Sequence, residues 1–556
     1  MVFLQSDLRS AIQIAATFCY LNPVRSDFRS ESRASVPTPA IFSPETVLPS
    51  PRLRAFHAVA SNAAVKTTGQ PSICTADELH YVSVHKSDWR LALWRYKPSP
   101  KAPPRNHPLL LLSGVGTNAT GYDLAPGSSF ARYMSSQGYD TWILEFRGAG
   151  LSTGMKSGKV EQPVNAISEP INSAVKHKET GADCSELRPD ISSDTSTESE
   201  VSSANEKRTK MMTKSDESQM MTKSDESQLL TKLTETITNL SEGLLEARPD
   251  SPIASQIRDL SRRLVNIIEG QRTVSPRFID LREYFSMIIE DFRKQLDLIV
   301  KYDWDFDHYL EEDVPAAMDY IRTHCKPKDG KLLAIGHSMG GILLYSMLSQ
   351  NSFKGRNSEF AAVVTLGSSL DYTTSKSALK LLLPLANPAQ ALNVPVIPLG
   401  TLLAAAYPLA SGPPYVLAWL NPLISAENMM HPELFEKLVL NNFCTIPTKL
   451  LLQLTTAFRE GGLCDRSGTF FYKDHLYKSN VPVLALAGDQ DRICPPEAVY
   501  ETVKLIPENL VTYKVFGEPG GPHYAHYDLV GSRLAAEQIY PLIINFISLH
   551  DKIDSQ

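Results

Sequence analysis

The segment Lys331–Leu344, KLLAIGHSMGGILL, constrains the fold of this chain more than any other stretch. A short apolar run, Leu332–Ile335, passes directly into Gly336-His337-Ser338-Met339-Gly340 and then into apolar, helix-forming residues. Glycines two before and two after Ser338 permit a strand-to-helix turn too sharp for a Cβ at either place, and such a turn leaves the serine hydroxyl exposed above the strand. A buried strand ending in this way belongs in a parallel sheet covered by helices.

The rest of the chain carries text of the same kind. His80–His85 and Trp89–Tyr96 read as a strand pair, and Pro108–Leu112 and Thr141–Phe146 as buried strands with a helix over Ser128–Gln137 between them. Helices follow over Leu281–Val300 and Tyr309–Thr323, then strands at Lys331–Ile335, Phe360–Leu366, Val481–Ala487 and Val511–Val515, and a last amphipathic helix over Ala535–Ser548. The expected fold class is therefore α/β, with one mostly parallel central sheet flanked by helices and interrupted twice. Its core segments are 72–154, 279–371 and 481–550, with a low-complexity insertion over 155–278 and an apolar cap over 372–480.

A serine hydroxyl is a weak nucleophile at neutral pH and needs a neighbouring base, itself oriented by an acid. After a turn of this kind the acid precedes the base in the chain. Val481–Pro495, VPVLALAGDQDRICP, ends a buried strand with a glycine and two aspartates. Asp491 is placed to turn back over the sheet edge, with Asp489 and the earlier Asp371 as rivals. The base comes from the glycine-rich loop Gly517–Asp528, which offers His526 and His523. Backbone N–H groups aimed at a developing oxyanion are expected from Met339, directly after the nucleophile, and from Val115, between Gly114 and Gly116.

Taken together, LLLLSGV at 109–115, RGAGLS at 147–152, GHSMGG, GDQDRICP and HYAHYDLVG resemble the α/β-hydrolase superfamily, particularly its lipase-like and lysophospholipase-like members. The resemblance covers roughly residues 75–154 and 280–550. It implies the α/β-hydrolase fold with Ser338, Asp491 and His526 as a catalytic triad, Gly336, His337 and Gly340 as its nucleophile elbow, and no cofactor or metal. The His-x-Asp pattern at His526–Asp528 is what favours His526 over His523. The chain departs from the family at Ser113, where a histidine usually stands.

Two insertions and a leader complete the reading. Residues 155–278 are rich in Ser, Thr, Glu, Asp and Lys, too polar to offset ordering entropy by burial. The unit MMTKSDESQ occurs twice in tandem, at 211–219 and 220–228, and reads as a linker duplication. Leu230, Leu233, Ile237, Leu240 and Leu244, and then Ile253, Ile257, Leu260, Leu264 and Ile267, mark two amphipathic helices that dock on each other, on the enzyme or on a protein partner. Between Lys380 and Glu427 no residue is charged, and repeated prolines break any run long enough to span a bilayer. Such a cap, with Trp419, suits a hydrophobic or lipid-like ester substrate, and peripheral membrane contact is a further expectation. The first seventy residues are Arg-rich, Ser-rich and acid-poor, as in a plastid or mitochondrial transit peptide, and a plastid address is the expectation, with an ordinary disordered tail in the cytoplasm as the alternative. Seven scattered cysteines argue for reduced thiols, and a net charge of −6 argues against nucleic acid as a partner.

Overall fold

The computed structural model describes residues 74–154 (except 86), 223–247, 253–271, 281–383 and 394–552 (except 414). The two strands β1 (Glu78–Ser83) and β2 (Trp89–Tyr96) pair antiparallel, followed by β3 (Leu109–Leu112), helix α1 (Phe130–Ser136), β4 (Thr141–Glu145) and the two-residue β5 (Thr153–Gly154). After three long helices come β6 (Leu332–His337), β7 (Phe360–Leu366), a cap containing the short pair β8 (Val396–Pro398) and β9 (Thr445–Pro447), and finally β10 (Val483–Gly488) and β11 (Val511–Phe516). The main sheet runs β1-β2-β4-β3-β6-β7-β10-β11, with β5 beside β2, and is parallel from β4 to β11.

The apolar runs explain this architecture directly. In β3 all four leucines are buried, but they serve opposite faces: Leu110 and Leu112 join one cluster with Leu332, Ala334 and Val363, and Leu109 and Leu111 join another with Leu333, Ile335 and Val364. A strand covered on both sides has no need of polar alternation, which is why its sequence is continuous Leu.

The three long helices are Lys223–Ala247, Ile253–Gln271 and Leu281–Lys301. Leu233, Ile237 and Ile257 of the first two pack with Phe292, Leu296 and Ile299 of the third in a cluster of their own. The third helix, which in sequence reads as resuming the α/β core, thus belongs with the insertion. Its apolar positions recur at helical spacing and match the seam of the other two. The first copy of MMTKSDESQ lies outside the described residues, whereas the second is helical from Lys223 onward rather than a linker. The N-terminal seventy residues also lie outside the described part.

The cap carries a helix over Leu399–Ser411, containing Pro408, and another over Pro432–Asn441. Its inner side packs Ile424, Met430, Leu438 and Val439 against Leu124 and Tyr527 of the core. Trp419, read in the sequence as part of an apolar cap, is 39% exposed, in company with Leu409, Tyr415 and Val416. Among the described residues no helix is long and apolar enough to cross a membrane.

Candidate active site

Strand β6 delivers Ser338 to the start of the helix Met339–Phe353 with φ 55° and ψ −120°. A positive φ at a residue with a side chain costs energy, and such strain persists only where the surroundings over-determine it. Here they do. A Cβ on Gly336 would run into the backbone of Gly340 and Gly341, and one on Gly340 into the Leu112 carbonyl, so both glycines are required for the turn to pack. Ser338 N–H donates to the Leu366 carbonyl at 2.9 Å, while the Ser338 carbonyl accepts from Gly341 N, Ile342 N and Ser368 Oγ. The main chain of Ser338 is thereby clamped to β7 while its side chain stays partly accessible, between buried His337 and buried Met339.

Asp491 sits three residues beyond the end of β10, buried. Its Oδ1 accepts from Ile493 N (2.9 Å) and Cys494 N (2.8 Å), which leaves Oδ2 to accept from His526 Nδ1 at 2.7 Å. With its hydrogen on Nδ1, the imidazole keeps a basic lone pair on Nε2. The pair lies beside Gly367 at the end of β7: a Cβ there would come within 2.9 Å of Asp491 Oδ2 and 3.1 Å of His526 Nδ1. Ser338, Gly367 and Asp491 thus follow three neighbouring strands at their C-terminal ends, where ligand sites of parallel sheets lie.

The rivals are engaged elsewhere. Asp489 accepts from His523 Nδ1 at 2.5 Å and from Tyr524 N at 2.9 Å, forming a second His–Asp pair on the same loop with His523 38% exposed. Asp371 pairs with Lys473 at 2.6 Å.

The loop carrying Val115 lies against Ser338, since a Cβ on Gly114 would be 3.4 Å from Ser338 Cβ and 3.8 Å from its Oγ. Gly116 has φ 59°, and its carbonyl accepts from Cys444 N at 2.7 Å. Thr117 pairs with Phe443 in an antiparallel bridge, and Asn118 N donates to the Asn442 carbonyl, so the cap segment before β9 straps this loop in place. Met339 opens its helix, where a backbone N–H has no acceptor one turn earlier and can point outward. Beneath the loop, Ser113 Oγ and Asn442 Oδ1 are buried without a hydrogen-bond partner among the described residues.

Several residues organise this site in ways the sequence did not assign to them. Glu145, wholly buried at the end of β4, accepts from Ala119 N (2.9 Å) and Leu151 N (2.8 Å), tying two loops together, and burial raises its pKa. A charge closing an otherwise apolar strand was the available signal. Arg147 reaches across to Asp313, with Nε 2.8 Å and backbone N 3.0 Å from its carboxylate oxygens. Asp307 accepts from Gln453, Tyr472 and Arg466 N, joining residues 305–308 to the C-terminal part of the cap. His337 donates to the base loop, as developed below. No three His, Cys, Asp or Glu side chains among the described residues are grouped as a metal ion would require.

A family model described as the alpha/beta hydrolase fold matches residues 293–528, the span from the middle of the third long helix through the elbow, the cap and both members of the Asp–His pair. The chain has the α/β-hydrolase fold. A relative of this chain, a Synechocystis sp. protein under the provisional name non-heme chloroperoxidase, is 33% identical over 76 residues, 14% of this chain and about a quarter (24%) of the relative's length. Among solved structures, the Saccharomyces cerevisiae monoglyceride lipase shares 12% identity with a TM-score of 0.41, over 86% of this chain and 97% of its own. A thermophilic esterase from Thermogutta terrifontis shares 11% with a TM-score of 0.38, over 85% and 100%. The monoacylglycerol lipase of Paleococcus ferrophilus shares 16% with a TM-score of 0.29, over 43% and 76%.

Proposed function

We propose that the chain is a serine hydrolase that cleaves carboxylic esters of hydrophobic or lipid-like substrates. The observation that carries this reading is the buried His526–Asp491 pair, 2.7 Å apart at the strand ends flanking the strained Ser338 elbow. In the proposed reaction Ser338 Oγ attacks the ester carbonyl while His526 Nε2 takes its proton, and Asp491 holds the resulting imidazolium in orientation. The negative oxygen of the tetrahedral intermediate is received by the Met339 and Val115 N–H groups, fixed donors that need no reorganisation. His526 then returns the proton to the departing alcohol, leaving an acyl ester on Ser338. Water, deprotonated by His526, attacks that ester, and the acid leaves as the serine regains its proton. The uncharged cap between Lys380 and Glu427 supports an apolar acyl group, and its exposed Leu409, Tyr415, Val416 and Trp419 support contact with a lipid surface.

Fluorophosphonate labelling of the protein tests this reading. Labelling is expected in the unmodified chain and in His523→Ala, and is expected to vanish in Ser338→Ala and His526→Ala. Chain-length series of p-nitrophenyl esters then read the apolar preference. Labelling that survives in Ser338→Ala would remove the assignment, and labelling lost in His523→Ala but kept in His526→Ala would move the base to the other pair.

A further inference from the structure

His337 immediately precedes the nucleophile, ends β6 and is fully buried. Its Nε2 lies 3.0 Å from the main-chain oxygen of His526. A carbonyl oxygen only accepts, so Nε2–H donates and the tautomer is fixed. Burial, reinforced by the neighbouring His526, pushes the His337 pKa well below its ordinary value and keeps the ring neutral with its donor in place. The two imidazoles lie 4.6 Å apart and tilted at 45°, and the Tyr527 ring meets His337 edge-on at 4.8 Å. An imidazole buried here without a partner would be unfavourable, so a purely space-filling residue would be apolar.

The consequence lies in where this bond attaches. Asp491 fixes the His526 ring, whereas His337 fixes the His526 main chain, and His337 shares a peptide bond with Ser338. Strand β6 is itself held between β3 and β7 with every residue from Leu332 to His337 buried. One rigid strand therefore carries both the nucleophile and the anchor of the base.

We propose that His337 is a positioning residue: by tying the His526 carbonyl to β6 it sets the separation between His526 and Ser338. This rests on the serine-hydrolase reading above.

The test compares His337→Gln, His337→Asn and His337→Phe in the full chain. Gln carries its amide nitrogen near the place of Nε2, Asn only near that of Nδ1, and Phe fills the ring volume with no donor. Fluorophosphonate inactivation rates, kcat and KM for a p-nitrophenyl ester, and thermal midpoints are measured for each. Gln is expected to retain most of the wild-type kcat, while Asn and Phe lose about ten- to a hundredfold, the scale of an ångström of misplacement, with KM little changed. Wild-type kcat in Phe overturns the proposal, as does a Gln variant no faster than Asn at equal thermal midpoint. If Phe fails to fold, the Gln and Asn pair decides alone. Ser338→Ala separates the two levels of inference: residual labelling there sinks the hydrolase reading, whereas a blank there with three wild-type-like His337 variants sinks only the positioning role.

Discussion

Replacing Asp528 by Asn should stabilise the protein, although the aspartate makes three good hydrogen bonds. Its carboxyl, with no exposed surface, accepts from Ser425 Oγ at 2.6 Å, Ala426 N at 2.7 Å and Ala525 N at 2.8 Å, fastening the His526 loop to the cap. Burial outweighs these donors and pushes its pKa from 3.8 up to about 6. A shift of about two units corresponds to roughly 3 kcal/mol between the protonated and ionised forms. For an acid raised in the fold, the native state binds more protons than the unfolded chain between the two values. The stability contribution is therefore complete below about pH 4 and declines as pH rises to about 6, above which the buried charge costs about 3 kcal/mol. Asn can turn Oδ1 toward the two N–H groups and donate Nδ2–H to Ser425 Oγ, keeping the three contacts without the charge. Urea unfolding followed by tryptophan fluorescence should show Asp528→Asn more stable than wild type by up to about 3 kcal/mol at pH 8, with the gap holding down to about pH 6 and closing between there and about pH 4. A variant that is less stable at pH 8, or a gap that does not change with pH, would refute this reasoning and mean that the three donors hold the ionised form at no cost.

Arg147→Met leaves Asp313 buried and unpaired and should cost about 3–5 kcal/mol in urea unfolding, whereas Arg147→Met with Asp313→Leu should recover much of it; equal losses would argue against the pair. His107 is buried between Asp551 (2.8 Å) and Asp329 (3.1 Å), whose charges outweigh burial and raise its pKa above the ordinary 6.5. Its contribution is present below pH 6.5 and lost as pH rises through the raised value, so thermal midpoints should fall across that window in wild type and less so in His107→Gln. Gly340→Ala drives a Cβ into the Leu112 carbonyl and should cost at least about 1–3 kcal/mol together with fluorophosphonate labelling; a labelled variant with an unchanged midpoint would contradict the packing described for the elbow.

The elbow was legible because its requirement is steric: two glycines flank a serine between a buried run and a helix, and few other structures need that order. The strands β3, β6, β7 and β10 were legible for a related reason, since burial on both faces leaves unbroken apolar text. The choice of acid and base was less so. Asp489–His523 and Asp491–His526 are offset by two residues at one end and three at the other, and the fold forms both pairs. What separates them is burial, 38% and 25% exposure against 3% and 0%, and burial in a loop is decided by elements far away in the chain. The helix Leu281–Lys301 shows the same limit. Its periodicity announces an apolar face but not the surface that face will meet. His337 was read only as a filler of the elbow motif, because its bond to His526 joins strand to loop across 189 positions.

The seating of β3 against β6 also bears on how the chain reaches this state. Leu109 lies beside Leu333, with the whole helical insertion threaded between them in sequence. Closing so long an interval costs only a little more than closing a short one, since each doubling adds about 0.6 kcal/mol, so the insertion is cheap in equilibrium terms. Its kinetic effect is larger. Strands β6, β7, β10 and β11 are neighbours in the sheet and all follow the insertion in the chain, so they can assemble, with the cap looped out between β7 and β10, before β1–β4 arrive. Until β3 docks, β6 has one open edge, and the glycine that admits the Leu112 carbonyl has nothing to admit. The elbow would then be the last part of the molecule to acquire its strained backbone, and reactivity at Ser338 would report completion of the fold more faithfully than any measure of helix or sheet content.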